Sequence, residues 1–413
     1  MIIKKRILKT ALCGVLSAGM LFTQPAALSV RAEQAAPAAE ATPEPTPDPH
    51  SAFYSQKPDT DSIKGWPAGP LIEAEAGIVM DVTTGTVIYA KNMDKKMYPA
   101  SITKVMTALL ACENLDMDTR FALTHDAAFG IEPGSSSIYG DDGEEFSVEQ
   151  ALMGLMLASA NEMALGLGEQ VSGSVKKFVE LMNARARELG CKNTHFNNPN
   201  GLPDETHYTT AYDMALITSA AYLNPQVRKI MSTTYYEIPP TDHFAETRYL
   251  LNHHKMLPGG SYAYEGALGG KTGYTIAAGN TLVTFAKRDN KVLVSVVLQS
   301  VGGGYEDTAA LLNYGFDNFD RISLGWNRNP SVSILPSEKY ILNQEETDTA
   351  FYATRAASAI VPAGKTKKEL TSTKSLLPPL SGNYRLRYDY YYNDYPVGYG
   401  IRYEQNVLSD LIP

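Results

Sequence analysis

Cysteine is scarce in this 413-residue chain, which contains three, at positions 13, 112 and 191. A framework of disulfide bonds needs more than Cys112 and Cys191, the two beyond the N-terminal segment, and we expect them to be free thiols. The seven histidines lack the spacing of metal ligands, since His253 and His254 are adjacent and would face opposite ways on a strand. The sequence therefore excludes a disulfide scaffold, and it predicts no metal site and no cofactor.

An excess of positive charge is also missing. Lysine and arginine total 36 against 45 aspartates and glutamates, a formal net charge of −9. The first 32 residues hold five of the basic residues and none of the acidic ones, so the rest of the chain is more acidic still. Such a balance argues against nucleic acid as a partner.

Long hydrophobic runs are absent as well, since the mostly apolar segment at residues 10–22 is too short for a comfortable transmembrane helix. It follows four basic residues and precedes a small-residue site at Val30-Arg-Ala32, a pattern typical of a secretory signal peptide over residues 1–32. An uncleaved anchor is the alternative. Residues 33–70, rich in proline, alanine, glutamate and threonine, are predicted to be an extended linker. We therefore expect an extracytoplasmic bacterial protein, secreted or associated with the cell wall or membrane.

The remaining chain predicts an α+β fold. Strand patterns at residues 76–90 precede helical patterns at 148–157, 161–171, 174–189 and 211–222, and strands return at 269–274, 281–287 and 291–300 before a helix at 305–319. This order indicates one antiparallel sheet built from both ends of a domain, over residues 71–325, with a helical region inserted between them. Residues 328–413, punctuated by proline and rich in tyrosine, are predicted to be a small β-rich domain.

Ser101-Ile-Thr-Lys104 places a hydroxyl and an amine on the same side of one helical turn, at the start of an apolar helical pattern. A helix N-terminus also presents unpaired backbone N–H groups. Taken alone the pattern favours an ordinary N-cap serine, and Ser174-Val-Lys-Lys177 is a second copy that we interpret in that way.

Two further motifs favour a catalytic role for Ser101 over that of an N-cap. Ser159-Ala-Asn161 lies between two helical segments, and Lys271-Thr-Gly273 lies at the start of a late strand. Each is weak alone, but Ser-x-x-Lys, Ser-x-Asn and Lys-Thr-Gly in this order are the trio of penicillin-binding proteins and class A β-lactamases.

Residues 71–325 resemble the low-molecular-mass penicillin-binding proteins, specifically the serine-type D-Ala-D-Ala carboxypeptidases. The resemblance extends over residues 98–109 around the serine, 196–202 and 207–216 in the centre, and 271–279 on the strand. It implies a β-lactamase/transpeptidase-like fold for this domain. Residues 328–413 resemble the second domain of that family only loosely.

The resemblance also implies roles for individual residues. Ser101 would be the nucleophile and Lys104 its base, which requires a lowered pKa. Ser159 and Asn161 would pass a proton to the leaving amine and orient Lys104 and the substrate. The predicted substrate-binding residues are Lys271, Thr272, Gly273 and Tyr274, with the amides of Ser101 and Tyr274 as the oxyanion hole and Lys271 and Thr272 on the terminal carboxylate. His207 is interpreted as structural.

The predicted reaction removes the terminal D-Ala from peptidoglycan stem peptides, and β-lactams are the expected inhibitors. A D,D-endopeptidase, a β-lactamase-like enzyme and a non-catalytic cell-wall-binding protein remain alternatives. Residues 195–200 hold no glutamate of the kind that activates the deacylating water in class A β-lactamases. The chain departs from the family at Ala160 and Glu162, and residues 406–413 are too short for the amphipathic helix that anchors many relatives.

Overall fold

The computed structural model describes residues 51–325, 355–380 and 383–404. The predicted signal peptide, residues 33–50 of the predicted linker and residues 406–413 lie outside the described residues. Within the described part, no helix combines the length and apolar character needed to span a bilayer. Cys112 and Cys191 are both free thiols.

The described helices fall mainly between the early and late strands of the chain. They are α1 (Ser51–Tyr54), α2 (Lys104–Asn114), α3 (His125–Phe129), α4 (Val148–Leu157), α5 (Asn161–Ser172), α6 (Val175–Glu188), α7 (Ala211–Leu223), α8 (Pro225–Ser232) and α9 (Tyr305–Asn318). Short 3₁₀ helices occur at Asp59–Ser62, Ala100–Thr103 and Lys367–Glu369.

The described strands form two larger sheets and two short hairpins. They are β1 (Ala76–Asp81), β2 (Val87–Lys91), β3 (Arg120–Ala122), β4 (Glu145–Ser147), β5 (Tyr235–Ile238), β6 (Arg248–Leu251), β7 (Ala267–Thr275), β8 (Gly279–Arg288), β9 (Lys291–Ser300), β10 (Phe319–Gly325), β11 (Arg355–Pro362), β12 (Leu370–Leu380), β13 (Asn383–Tyr392) and β14 (Tyr395–Glu404). The larger sheets are antiparallel, in the orders β2-β1-β9-β8-β7 and β10-β11-β14-β13-β12.

The first sheet joins the two ends of the predicted domain, because β1 pairs with β9 in register from Ala76–Leu298 to Asp81–Leu293. Alternate side chains of these strands enter two different cores, since successive residues of a strand face opposite ways. Ile78 belongs to a core with the inserted helices, and Val79 belongs to a core with α9 and the second sheet. The predicted α+β fold, with an antiparallel sheet and an inserted helical region, is confirmed.

The N-terminal boundary needs a correction. Residues 59–70, predicted as linker from their composition, contribute buried side chains to the folded part. The indole N–H of Trp66 donates to Ile88 O at 2.8 Å, and its ring lies 4.8 Å from that of Phe319 and 5.1 Å from that of Tyr395. The aromatic partners lie more than 250 residues away, where local composition gives no sign of them.

The boundary between the two predicted domains also moves. Strand β10, which the prediction assigned to the first domain, pairs with β11 in the second sheet. The helix α9 therefore leads directly into the second sheet, and Phe319 at the start of β10 is fully buried in the shared core.

Replacing Trp66 with alanine is expected to lower the free energy of unfolding by about 3–5 kcal/mol, because it leaves a cavity and removes the hydrogen bond to Ile88. Urea unfolding followed by circular dichroism measures the change. Leu71→Ala is the matched control, since this side chain is exposed, and should change stability by less than about 0.5 kcal/mol. Equal losses for the two variants would contradict a structural role for residues 59–70.

Candidate active site

Ser101 lies in the 3₁₀ turn Ala100–Thr103, and α2 begins at Lys104, slightly later than the sequence predicted. A 3₁₀ turn has three residues per turn, so side chains at i and i+3 eclipse one another. Lys104 Nζ consequently lies 3.0 Å from Ser101 Oγ. The pair is formed by local backbone geometry.

Lys104 is completely buried, and its Nζ has three oxygen neighbours. Besides Ser101 Oγ, it contacts Asn161 Oδ1 at 2.7 Å and the carbonyl oxygen of Asn200 at 2.8 Å. Burial, and then the positive charge of Lys271, hold the pKa of Lys104 well below its usual range, while the charge of Glu162 opposes them. The amine therefore favours its neutral form.

Asn161 is held by the break between α4 and α5. Ser159 has a left-handed backbone with φ of 62°, an uncommon conformation that often marks functional sites. The turn starts α5 at Asn161, whose N–H donates to Ser136 O at 2.8 Å. Ser159 Oγ is buried beside the cleft and has no hydrogen-bond partner among the described residues.

Glu162 supports this break from inside the fold. Its Oε1 accepts from Ser137 Oγ at 2.8 Å and from the N–H of Ile138 at 2.6 Å. These bonds fix the segment that carries Ser136 O, and thereby the start of α5. Glu162 thus positions Asn161 through this backbone segment. Its negative charge also acts on Lys104, whose pKa it raises.

Two glycines lie against the turn that carries Ser101. A Cβ on Gly273 would lie 2.8 Å from Ser101 N, so β7 passes directly beside the serine amide. A Cβ on Gly201 would lie 1.9 Å from Ala100 O, and φ at Gly201 is 89°. On β8, Thr281 Oγ1 donates to Pro99 O at 2.9 Å. The sheet edge thus positions the turn that carries Ser101.

Lys271 lies beneath the cleft floor, 1% exposed, with its Nζ donating to Thr272 O at 2.8 Å. Burial lowers its pKa to about 7. Its neighbours Thr272, Gly273 and Tyr274 line the cleft itself.

The open cleft has a volume of about 480 Å³ and brings the three predicted motifs to one place. Ser101, Ser159 and the strand β7 form its walls, while Lys104, Asn161 and Lys271 lie behind them. Sequence reasoning missed the nine other residues of the lining: Ser136, His253, Lys255, Tyr262, Asn280, Thr281, Gly302, Gly303 and Tyr305. The signal available for three of them was a polar loop leading into the Lys-Thr-Gly strand.

Residues that resemble catalytic groups elsewhere have structural roles. His207 is buried, bonded to Thr103 Oγ1 at 3.0 Å and to the N–H of Asn197 at 3.0 Å, and burial lowers its pKa to about 4. Ser174, in the second Ser-x-x-Lys copy, caps α6 by accepting from the N–H of Lys177. The predicted N-cap role of Ser174 is confirmed, and the hydrogen bonds of His207 agree with its structural interpretation.

The family model described as D-alanyl-D-alanine carboxypeptidase, Peptidase S11, matches residues 65–302. The chain belongs to this family. The recognition made from the motifs is confirmed, and the protein is a serine-type peptidase of the D-Ala-D-Ala carboxypeptidase class.

Relatives and solved structures agree with this assignment. D-alanyl-D-alanine carboxypeptidase DacF of Bacillus subtilis is 33% identical over 65% of this chain and 68% of its own length. The D-alanyl-D-alanine carboxypeptidase of Streptomyces sp. K15 is 32% identical over 60% of this chain and 88% of its own length. The crystal structure of a D-alanyl-D-alanine carboxypeptidase from Mycobacterium tuberculosis has a TM-score of 0.55 at 29% identity, covering 68% of this chain and 99% of that one.

A wider match shows the fold alone. Penicillin-binding protein 6B from Escherichia coli covers 83% of this chain and 98% of its own, with a TM-score of 0.61 at 23% identity.

The role of Glu162 as a brace can be measured by stability. Glu162→Ala is expected to cost about 2–4 kcal/mol, because the Ser137 hydroxyl and the Ile138 N–H lose their acceptor in a buried place. Glu162→Gln keeps an oxygen able to accept both bonds and should lose far less. Chemical denaturation compares the two, and equal losses would assign the effect to the charge instead of the hydrogen bonds.

Proposed function

We propose that this enzyme removes the terminal D-alanine from peptidoglycan stem peptides through an acyl-enzyme on Ser101. The observation that carries the proposal is the environment of Lys104 Nζ, where a buried amine contacts one hydroxyl and two carbonyl-type oxygens. The signal-peptide pattern at residues 1–32 supports an extracytoplasmic location, where such peptides are found.

The lowered pKa favours the neutral amine, and the three neighbours of Lys104 Nζ can satisfy that form. A neutral amine has two N–H donors and one lone pair, whereas an ammonium has three donors and no acceptor. The two N–H groups point to Asn161 Oδ1 and Asn200 O, which leaves the lone pair for Ser101 Oγ–H. Lys104 is then ready to accept the proton of Ser101 as the serine attacks.

The remaining roles follow from position. The amides of Ser101 and Tyr274 are proposed to hold the developing oxyanion, since β7 passes beside Ser101 at Gly273. Ser159 Oγ, unpartnered beside the cleft, is proposed to pass the proton from Lys104 to the amine of the departing D-alanine. Thr272 would bind the terminal carboxylate from the cleft wall, with Lys271 adding charge from beneath. Water then hydrolyses the acyl-enzyme.

The β-lactamase alternative receives less support from this cleft. Rapid deacylation needs a carboxylate that activates water. None of the described residues that line the cleft is an aspartate or glutamate, and Glu162 directs its Oε1 to Ser137 and Ile138. Penicillin is therefore proposed to inhibit the enzyme by acylating it. A D,D-endopeptidase would use the same catalytic residues on a cross-linked substrate.

Ser101→Ala should abolish both D-alanine release and covalent labelling by fluorescent penicillin, because the variant has no nucleophile. Ser174→Ala, in the second Ser-x-x-Lys copy, is the matched control and should retain both. Intact-mass spectrometry with peptide mapping locates the adduct. D-alanine release that persists in Ser101→Ala would refute the proposal, and labelling without release would favour a penicillin-binding protein of another activity.

The pH dependence of acylation tests the base. Acylation needs neutral Lys104, so its rate should fall as the pH drops through the lowered pKa of this amine. Lys271→Met removes a like charge that increases as the pH falls through about 7, because burial lowers the pKa of Lys271 to about 7. The pKa of Lys104 should then rise, and the acid limb of the profile of acylation rate against pH should move to higher pH.

Stopped-flow acylation profiles, each normalised to its own maximum, measure this shift independently of any loss in substrate binding. Lys271→Arg keeps a cation and should leave the limb nearer to that of the wild type. A limb that stays in place or moves to lower pH in Lys271→Met would contradict the coupling between the two lysines.

A further inference from the structure

The cationic residues near the cleft differ in what they present to a ligand. Lys271 is buried, and its Nζ is engaged by Thr272 O. Among the described residues that line the cleft, Lys255 is the single lysine or arginine. It lies on the loop between β6 and β7, outside the three motifs. The charge that meets an incoming substrate on this side therefore comes from Lys255.

The backbone at Lys255 is firmly held. Its carbonyl accepts from the N–H of Tyr262 at 3.1 Å, and Met256 and Leu257, which follow it, are buried. The ring of Tyr262 stacks on that of Tyr305, 4.6 Å between centroids. The base of the side chain thus has a fixed position, and ordering it on a ligand costs side-chain freedom alone.

The loop is also attached to the sheet beside Lys255. His254 Nε2 hydrogen-bonds Thr284 Oγ1 on β8 at 2.9 Å, and Tyr305 Oη–H donates to the carbonyl oxygen of His253 at 3.3 Å. These contacts attach the loop to α9 and to β8, the strand that pairs with β7 beside Ser101. Lys255 therefore keeps a defined position relative to the reacting serine.

The Lys255 ammonium has no counter-charge. The side chain is exposed, and no described residue forms an ion pair or hydrogen bond with it. The cleft lining holds no aspartate or glutamate among the described residues, although the whole chain has a net charge of −9. His253 also lines the cleft, and its pKa is lowered by desolvation and then by the charges of Lys271 and Lys255. This side of the cleft is thus positive and unneutralised, which suits an anionic ligand.

We propose that Lys255 is a specificity-determining residue that pairs with the free terminal carboxylate of the substrate. This inference rests on the proposed function, in which the scissile bond lies at Ser101 and the terminal carboxylate lies toward Thr272 and Asn280 on the same wall. A substrate without that carboxylate leaves the cation unpaired. Lys255 therefore favours cleavage of a terminal residue over cleavage within a chain.

The test compares two acylating compounds that differ in one charge, benzylpenicillin with its carboxylate and benzylpenicillin methyl ester without it. Lys255→Met should slow the second-order acylation by benzylpenicillin about tenfold, the usual size of a lost charge-assisted hydrogen bond. Acylation by the methyl ester should change less than about twofold. The preference of the wild type for the acid over the ester should shrink accordingly.

Two variants serve as controls. Lys255→Arg keeps the positive charge and should retain most of the preference for the acid. Lys177→Met removes an exposed lysine on α6 that is not part of the cleft lining, and should behave as the wild type with both compounds. Circular dichroism confirms that each variant is folded.

The outcomes separate this inference from the proposed function. If the wild type is acylated and Lys255→Met loses equally with both compounds, or loses nothing with the acid, Lys255 does not recognise the carboxylate and the inference is wrong. If the wild type is acylated by neither compound, the proposed function fails and the carboxylate-binding role fails with it. A charge-dependent loss that arginine restores supports the inference.

Discussion

The burial of a single amine, Lys104, constrains the rest of the site. A charged ammonium without a carboxylate partner is costly in a buried place, whereas a neutral amine with two acceptors and one donor is fully satisfied there. The surroundings of Lys104 meet that requirement with the hydroxyl of Ser101, the side chain of Asn161 and the backbone of Asn200. Each of these oxygens comes from a different segment. Three parts of the chain must therefore be positioned together to form the surroundings of the Lys104 amine.

The fold meets this demand by combining a rigid sheet with an interrupted helical region. The sheet edge supplies Gly273 and Thr281, which press against the turn that carries Ser101. The helical region supplies the break at Ser159, where the backbone takes an uncommon conformation to start α5 at Asn161. Such strain persists because its surroundings, including the bonds accepted by Glu162, hold the break in place.

Sequence reasoning succeeded where a residue's role depends on its neighbours in the chain. The helical pattern defines Val148–Leu157, and a valine-rich apolar run defines Lys291–Ser300, both with the predicted bounds. It failed where the packing partner is remote in sequence, as for Trp66 and Phe319. It also failed where a backbone atom makes the contact, as the carbonyl oxygen of Asn200 does with Lys104. Lys255 lies in an irregular loop, which periodicity does not resolve. The motif order located the cleft, but the loop that completes its lining required coordinates.

The pairing of β1 with β9 has a consequence for how the protein is made. A growing chain that has reached residue 172 already contains Ser101, Lys104, Ser159 and Asn161, yet it lacks β7 and β8, which position the serine. The central strand β9 must be present before β1 and β8 are joined in one sheet. The β1–β9 contacts span more than 200 residues and therefore form late. Partial chains therefore carry the proposed catalytic residues without their folded arrangement, and the proposed nucleophile reaches its position only near completion of the sheet.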